Sequence, residues 1–143
     1  MMKKQFIWVF VFCLLFSITS LAEGGEIRYG VTNAKNVTMY KEPNAKSAVV
    51  KKIPLKGMVI DIHTDLSKNS NDDWFAVSLD DKQGYIKATL IDEINIYADA
   101  VWIPTKGGKK HHTTSGCSNM KEPHHILLGE AEKLGFTPCK KCH

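Results

Sequence analysis

Arginine is almost absent from this sequence, which limits the partners that we expect. Arg28 is the only arginine, and all other cationic side chains except histidine are lysines. Arginine forms the bidentate contacts that commonly recognise phosphates and base edges, so we do not expect specific recognition of nucleic acid. Residues 100–143 nevertheless contain seven lysines against three glutamates, and this positive charge could attract anionic polymers without sequence specificity.

A long hydrophobic run is also missing. The apolar stretch from Phe6 to Phe16 is shorter than the roughly 20 residues that a membrane-spanning helix needs. It follows Lys3-Lys4 and precedes the small-residue pattern Ser20-Leu21-Ala22, an order that is typical of a secretory signal peptide. We therefore expect residues 1–22 to be cleaved, and the protein to be secreted or held in the cell envelope without stable membrane insertion.

The cysteines beyond the predicted signal peptide are few and odd in number. They are Cys117, Cys139 and Cys142, so a framework made only of disulfides would leave one thiol unpaired. Three thiolates and one imidazole, in contrast, complete a tetrahedral zinc site. The odd count therefore favours a metal over the disulfide framework that is common in exported proteins.

The spacing of cysteines and histidines near the end of the sequence indicates the same ion. Cys139 and Cys142 are separated by two lysines, so both thiolates can point at one ion from a tight turn. Sulfur and imidazole suit zinc better than calcium or magnesium, which prefer oxygen. We predict a structural zinc site with the ligands His112, Cys117, Cys139 and Cys142. His111 is the alternative histidine.

Two other uses of these thiols stay open. Cys139 and Cys142 could form a redox-active or structural disulfide, which would leave Cys117 free. A catalytic cysteine–histidine pair is the other alternative, but no third group that would orient such a pair is recognisable in the sequence. We therefore expect no enzymatic activity.

Between residues 27 and 95 the sequence has no convincing helical period and predicts short strands separated by turns. Polar turn residues, such as Asp80–Gly84, bound segments rich in β-branched and aromatic residues. The predicted strands are Glu26–Thr32, Val37–Tyr40, Ala48–Ile53, Gly57–His63, Trp74–Leu79 and Tyr85–Lys87. Short strands with turns between them are typical of a small antiparallel barrel or sandwich, so we expect a mainly β fold.

Residues 99–143 form a second predicted unit, of mixed α and β structure. Strands are expected at Val101–Pro104 and Lys109–Thr113. A short helix is expected at Glu130–Leu134, because Gly135 provides the usual C-terminal stop. A unit of this size seldom folds on a hydrophobic core alone, so we expect zinc to stabilise it.

The order of strands and turns in the first unit resembles a bacterial SH3-like (SH3b) domain. The resemblance is carried by Asn36-Val37, by Gly57 at the start of a strand, by Asp73–Val77 and by Gly84-Tyr85-Ile86. We assign it to residues 27–95. The resemblance implies an SH3-like barrel that binds cell-wall peptide or peptidoglycan.

An SH3-like domain that binds an extended peptide would dock it on exposed aromatic side chains. The candidates for such a groove are Tyr40, Trp74 and Tyr85. A tryptophan in so small a barrel often belongs to the core instead, so these three residues form a weaker prediction than the metal ligands.

The end of the sequence is similar to the Ada-type metal-binding domain of a bacterial DNA alkylation-repair regulator. The similarity is carried by Gly135–Cys139, by Cys142 and by Ser115-Gly116-Cys117. In that family four cysteines hold zinc, and the first of them also accepts a methyl group from DNA. His112 stands at that place here, which keeps a metal ligand but removes the sulfur nucleophile. The resemblance therefore implies an Ada-like zinc-binding module over residues 99–143 without methyl transfer.

Together these features predict an exported, non-enzymatic binding protein. We expect its SH3-like domain to contact cell-wall peptide or peptidoglycan, and its C-terminal module to be held by structural zinc. One alternative is a nucleic-acid-associated protein that uses the basic C-terminal segment. The other is a thiol redox protein that uses Cys139 and Cys142.

Overall fold

The computed structural model describes residues 27–64, 73–94 and 99–143. The predicted signal peptide at residues 1–22 lies outside the described residues, as do residues 23–26, 65–72 and 95–98. Within the described ranges the protein is mainly β, as predicted, with a large antiparallel sheet. No helix in these ranges has the length and apolar character needed to cross a membrane.

The large sheet contains seven strands. They are β1 (Ile27–Thr32), β2 (Val37–Tyr40), β3 (Val49–Ile53), β4 (Val59–His63), β5 (Trp74–Leu79), β6 (Lys82–Lys87) and β7 (Ile91–Ile94). Their order across the sheet is β3-β2-β6-β5-β4-β1-β7. Because β3 and β7 are the two ends of this order, no closed barrel is found among the described residues, and the SH3-like barrel stays a prediction.

The alternation of side chains along these strands places the core on one face of the sheet. In β5, Val77 and Leu79 belong to the buried apolar cluster and Phe75 packs against it. Each fully buried aliphatic side chain of this kind contributes roughly 1.5–3 kcal/mol to folding. The cluster consists of Val37, Met39, Ile53, Met58, Ile60, Ile62, Val77, Leu79, Ile86 and Ile91.

The turn between β5 and β6 is shorter than the predicted turn at Asp80–Gly84. Its two residues, Asp80 and Asp81, have φ values of 49° and 59°, and β6 begins at Lys82 rather than at Tyr85. A two-residue turn with positive φ at both positions matches the twist of the flanking strands, and aspartate tolerates this conformation. The strand start is not recognisable in the sequence, because Lys82 and Gln83, its first two residues, are polar like the turn before them.

The second unit is a small arrangement of short strands around one helix. It contains β8 (Ala100–Ile103), β9 (Lys110–His111), β10 (His124–Leu127), α1 (Leu128–Lys133) and β11 (Thr137–Pro138). β8 pairs with β10 in antiparallel fashion, and β9 pairs with β11 in parallel. The sequence does not predict β10, because its residues show no apolar alternation. The predicted strand Lys109–Thr113 is shorter in the structure and meets β8 only at a bridge between Trp102 and His112.

The end of α1 directs the chain toward the last cysteines. Gly135 has a φ of 84°, and its N–H donates to the Glu132 carbonyl at 2.8 Å. The Phe136 N–H donates to the Ala131 carbonyl at 3.1 Å. This pair of bonds is a Schellman arrangement, and Ala131 and Phe136 are both buried in a second apolar cluster. The predicted helix stop at Gly135 is confirmed.

The second unit is held against the sheet. Met58, just before β4, forms an antiparallel bridge with Ile126, and the Leu127 N–H donates to the Gly57 carbonyl at 2.9 Å. Leu55 packs against both apolar clusters. These contacts fix the position of β10 and α1 beside the large sheet. The predicted unit boundaries at residues 95 and 99 stay predictions, because residues 95–98 lie outside the described ranges.

Candidate metal centre

The four predicted ligand residues lie together in the structure. His112, Cys117, Cys139 and Cys142 each offer one donor atom, and these atoms all lie within 4.8 Å of one another. Cys139 and His112 are buried, whereas Cys117 and Cys142 are half-buried. The cluster could hold a metal ion, and the identity of that ion stays a prediction.

Backbone pairing positions three of the four side chains. His112 follows β9, and its N–H and carbonyl both pair with Trp102 at 2.8 Å. Cys139 follows β11, and its N–H donates to the His111 carbonyl at 3.0 Å. The Cys142 N–H donates to the Cys139 carbonyl at 3.3 Å, which closes the tight turn that the two-residue spacing predicts.

Cys117 reaches the cluster from a separate loop. It begins a short 3₁₀ turn, Cys117–Asn119, and its N–H donates to the Thr114 carbonyl at 3.3 Å. Ser118 and Asn119 have φ values of 63° and 50°. Positive φ is uncommon for residues other than glycine, so this loop has a specific, tightly bent conformation that brings the thiol beside the other donors.

The structure also separates the two candidate histidines. His112 Nδ1 lies 3.5 Å from Cys142 Sγ, whereas His111 Nδ1 lies 3.2 Å from His143 Nε2. Successive side chains on a strand point in opposite directions, so only His112 faces the three thiols. His111 is 2% exposed, and its Nε2 has no hydrogen-bond partner among the described residues. Burial, followed by the nearby His143, lowers the pKa of His111.

The thiols in this cluster differ in how readily they lose a proton. Burial alone would raise the pKa of the Cys142 thiol, but hydrogen bonds from the Thr113 backbone, from Cys117 and from His112 lower it to about 6. The hydrogen bond to Cys142 raises the pKa of Cys117. These hydrogen bonds therefore favour the thiolate of Cys142 and the neutral thiol of Cys117.

The donor set fits zinc. Zinc is bound by thiolates at about 2.3 Å and by imidazoles at about 2.0–2.1 Å, usually with four ligands in structural sites. Metal binding requires deprotonated sulfur, and the hydrogen bonds that lower the pKa of Cys142 favour its thiolate. Calcium and magnesium require oxygen donors, and none of the four residues supplies a carboxylate.

The predicted aromatic candidates also lie near one another, on the outer face of the sheet. Tyr40 and Tyr85 are cross-strand partners on β2 and β6. The rings of Tyr40 and Trp74 meet edge to face, with centroids 5.7 Å apart. Trp74 is 7% exposed, and Lys87 Nζ lies 5.9 Å from the centroid of its ring. The aromatic patch, defined as Tyr40, Trp74 and Tyr85, is therefore formed by three neighbouring strands.

Two histidine contacts have no counterpart in the sequence predictions. His143 contacts His111, with ring centroids 4.7 Å apart, and His125 stacks on Trp102 at 4.3 Å. The first follows from the return of the chain after β11, and the second from the register of β8 and β10. Both depend on strand pairs that are distant in the sequence, so local spacing offers no signal for them.

Comparisons of the chain with family models, curated proteins and solved structures gave no match.

Proposed function

We propose that the protein is an exported, non-enzymatic binding protein with an SH3-like barrel over residues 27–95 and an Ada-like module over residues 99–143. One structural zinc ion holds the module. The observation that carries this proposal is the convergence of four donor residues within 4.8 Å. Four protein ligands leave no open coordination position, which is typical of a structural rather than a catalytic zinc.

The arrangement of the second unit supports a stabilising role for the ion. The ligands come from the end of β9, from the 3₁₀ turn at Cys117 and from the turn after β11. Among the described residues, the buried members of this unit's apolar cluster are Val101, Ile103, Ile126, Ala131 and Phe136. A small cluster of this kind supplies little folding free energy, and a zinc ion that joins three segments would add its binding free energy to folding.

Metal content and thiol reactivity of the full chain, purified without a histidine tag, test the zinc site. We expect one zinc per chain and cysteines that react with alkylating reagents only after chelation. His112→Ala should lose most of the zinc affinity, whereas His111→Ala, a change at the neighbouring buried histidine, should retain zinc. A metal-free protein with one disulfide and one reactive thiol would contradict the proposal.

The aromatic patch supports the binding role of the first unit. Aromatic side chains on a sheet surface can dock an extended peptide, and Tyr40 and Tyr85 are half-buried rather than enclosed in the core. Peptidoglycan pull-down at moderate salt tests this role. We expect Tyr85→Ser to reduce binding and Tyr29→Ser, on the distant strand β1, to leave it unchanged. If peptidoglycan retained the unchanged protein, Tyr85→Ser and Tyr29→Ser equally, the aromatic patch would not be the binding site.

The same pull-down separates peptide binding from the nucleic-acid alternative. Binding that depends on the lysines of residues 100–143 should weaken steeply as salt increases, since each neutralised phosphate releases counterions. Binding through apolar and aromatic contacts should change little over the same range. Retention of a DNA oligonucleotide, but not of peptidoglycan, would favour the nucleic-acid alternative.

A thiol redox protein that uses Cys139 and Cys142 is the second candidate, because both thiols are free and lie in the same cluster, and the pKa of Cys142, lowered to about 6, agrees with it. Cysteines that exchange disulfides have lowered pKa values, and none of the three described cysteines is in a disulfide. This function requires a reactive thiol in the metal-loaded protein. Resistance of the zinc-loaded protein to iodoacetamide would exclude it, and rapid alkylation of Cys142 would support it.

A further inference from the structure

A cavity of about 500 Å³ lies directly beside the ligand cluster. This volume is within the range of roughly 300–1,000 Å³ that is typical of small-molecule sites. His112 and Cys139, two of the four ligand residues, form part of its wall. The remaining wall comes from the segment after β8, from Lys110 on β9 and from residues 118–121, which follow Cys117 directly. The cavity therefore shares one wall with the candidate metal centre.

The charge of the cavity wall has one sign. Lys106, Lys110 and Lys121 line the cavity, and no acidic residue is among its lining residues. Within residues 27–64, 73–94 and 99–143, none of these three lysines forms a salt bridge with a carboxylate. Lys110 Nζ donates to Thr137 Oγ1 at 2.8 Å, so Lys106 and Lys121 are the two lysines tested below. Clustered cations in a concave site attract anions.

Part of the same wall is apolar. Pro104 and Met120 both line the cavity. A methionine side chain is flexible and polarisable, so it adapts to ligands of different shapes. A ligand that satisfies both parts of the wall needs an anionic group for the lysines and an apolar body for Pro104 and Met120.

We propose that this cavity binds a small organic anion, in which a carboxylate or a phosphate contacts the lysines and an apolar body packs against Met120 and Pro104. The inference also assigns a second role to the metal of the proposed function, on which it rests. The segment Ser118–Lys121, which follows Cys117, lines the cavity together with His112 and Cys139. An ion that binds Cys117, His112 and Cys139 joins these parts of the cavity wall, so anion binding should require the metal.

Methionine methyl signals of the full chain provide a direct test. In zinc-loaded protein labelled with [methyl-¹³C]methionine, we expect phenyl phosphate and benzoate to shift the Met120 signal, and the neutral benzyl alcohol to leave it unchanged. Met39 and Met58 are 0% and 1% exposed in the core of the large sheet, so their signals are internal controls. Met120→Leu identifies the signal. The two anions show whether the site prefers a phosphate or a carboxylate.

A pair of double variants tests the role of the lysines. Lys106→Gln with Lys121→Gln should weaken binding of phenyl phosphate at least about tenfold, because charge-assisted hydrogen bonds are lost. Lys35→Gln with Lys52→Gln makes the same change of charge at exposed positions of the first unit and should leave the affinity unchanged. Equal weakening by the two double variants would overturn the assignment of the anion to this cavity.

Zinc content, measured on the same samples, separates this inference from the proposed function. If the Met120 signal of zinc-loaded protein shifted with neither anion, the anion site would be refuted and the zinc site would still stand. A chain that binds no zinc would refute the zinc site and the metal requirement together. Equal anion binding with and without zinc would refute the metal requirement. A shift of Met120 by duplex DNA, but by neither small anion, would assign the surface to nucleic acid.

Discussion

Replacement of Gly57 by alanine should destabilise the protein, because Gly57 lies where the two units meet. Its φ is 78°, and an L-residue adopts a left-handed conformation at a cost of about 1–2 kcal/mol. A Cβ at this position would lie 2.7 Å from Glu130 Cγ and 3.1 Å from Glu130 Cβ. Relief of such a contact costs about 1–3 kcal/mol. The reduced entropy of the unfolded alanine chain offsets about 0.4–1 kcal/mol.

We therefore expect Gly57→Ala to lower the free energy of unfolding by about 1.5–4 kcal/mol. Gly107→Ala is a matched control, because Gly107 has a φ of 76° and no atom within 4 Å of the added Cβ. That variant has the backbone cost without the steric one, and should lose about 1 kcal/mol or less. Urea unfolding followed by tryptophan fluorescence, with zinc in all samples, measures both values.

A double variant connects the loss to Glu130 itself. Gly57→Ala with Glu130→Ala removes the Cγ atom that the new Cβ meets at 2.7 Å, so part of the lost stability should return. The reasoning would be refuted if Gly57→Ala and Gly107→Ala were equally destabilised, or if the double variant showed no recovery. Either result would mean that the second unit is not packed against Gly57 as tightly as the distances require.

Three further predictions concern the cluster and the second unit. In metal-free protein the rate of Cys142 alkylation should rise as pH increases through about 6, whereas Cys117, whose pKa is raised, should react only at higher pH. Mass spectrometry of the labelled peptides measures both rates, and alkylation of Cys117 at lower pH than Cys142 would contradict this prediction. Ile126→Ala should cost about 2–5 kcal/mol, since Ile126 is 0% exposed, and urea unfolding showing no loss would contradict its place in the core. Burial lowers the pKa of His124 below 6.5, so protonation favours the unfolded chain and the free energy of unfolding should fall as pH drops below about 6.5. His124→Gln should reduce this pH dependence. If the free energy of unfolding of the variant depended on pH as strongly as that of the unchanged protein, His124 would not be the residue responsible.

The strands of the first unit could be predicted largely from local patterns. Val37–Tyr40 and Trp74–Leu79 have the predicted bounds, because alternation and flanking turn residues are properties of the local sequence. The strand Lys82–Lys87 begins earlier than predicted, since a turn of two aspartates replaces a longer polar turn. Its polar residues are in a strand because β5 provides backbone partners along their whole length.

The position of Trp74 illustrates what local patterns leave open. An aromatic residue in a strand can face the core or the outer surface. Burial alone does not show which face Trp74 is on, because a side chain that is 7% exposed would fit either one. Its edge-to-face contact with Tyr40 places it beside the outer tyrosines instead of within the main apolar cluster. The side of a strand that becomes the core depends on which other strands and loops cover it.

The chemistry of the candidate centre follows from the local sequence. Three cysteines, a nearby histidine pair and the Cys139–Cys142 spacing restrict the donors to sulfur and imidazole, because ligand type and tight-turn geometry are local properties. Which histidine joins the thiols, and where the cavity lies, depends instead on how distant segments pair in the folded protein. The parallel pairing of β9 with β11 joins residues 110–111 to residues 137–138, and this alignment turns His112 toward Cys142 and His111 toward His143. Such pairing depends on backbone hydrogen bonds between distant segments, which local spacing does not specify.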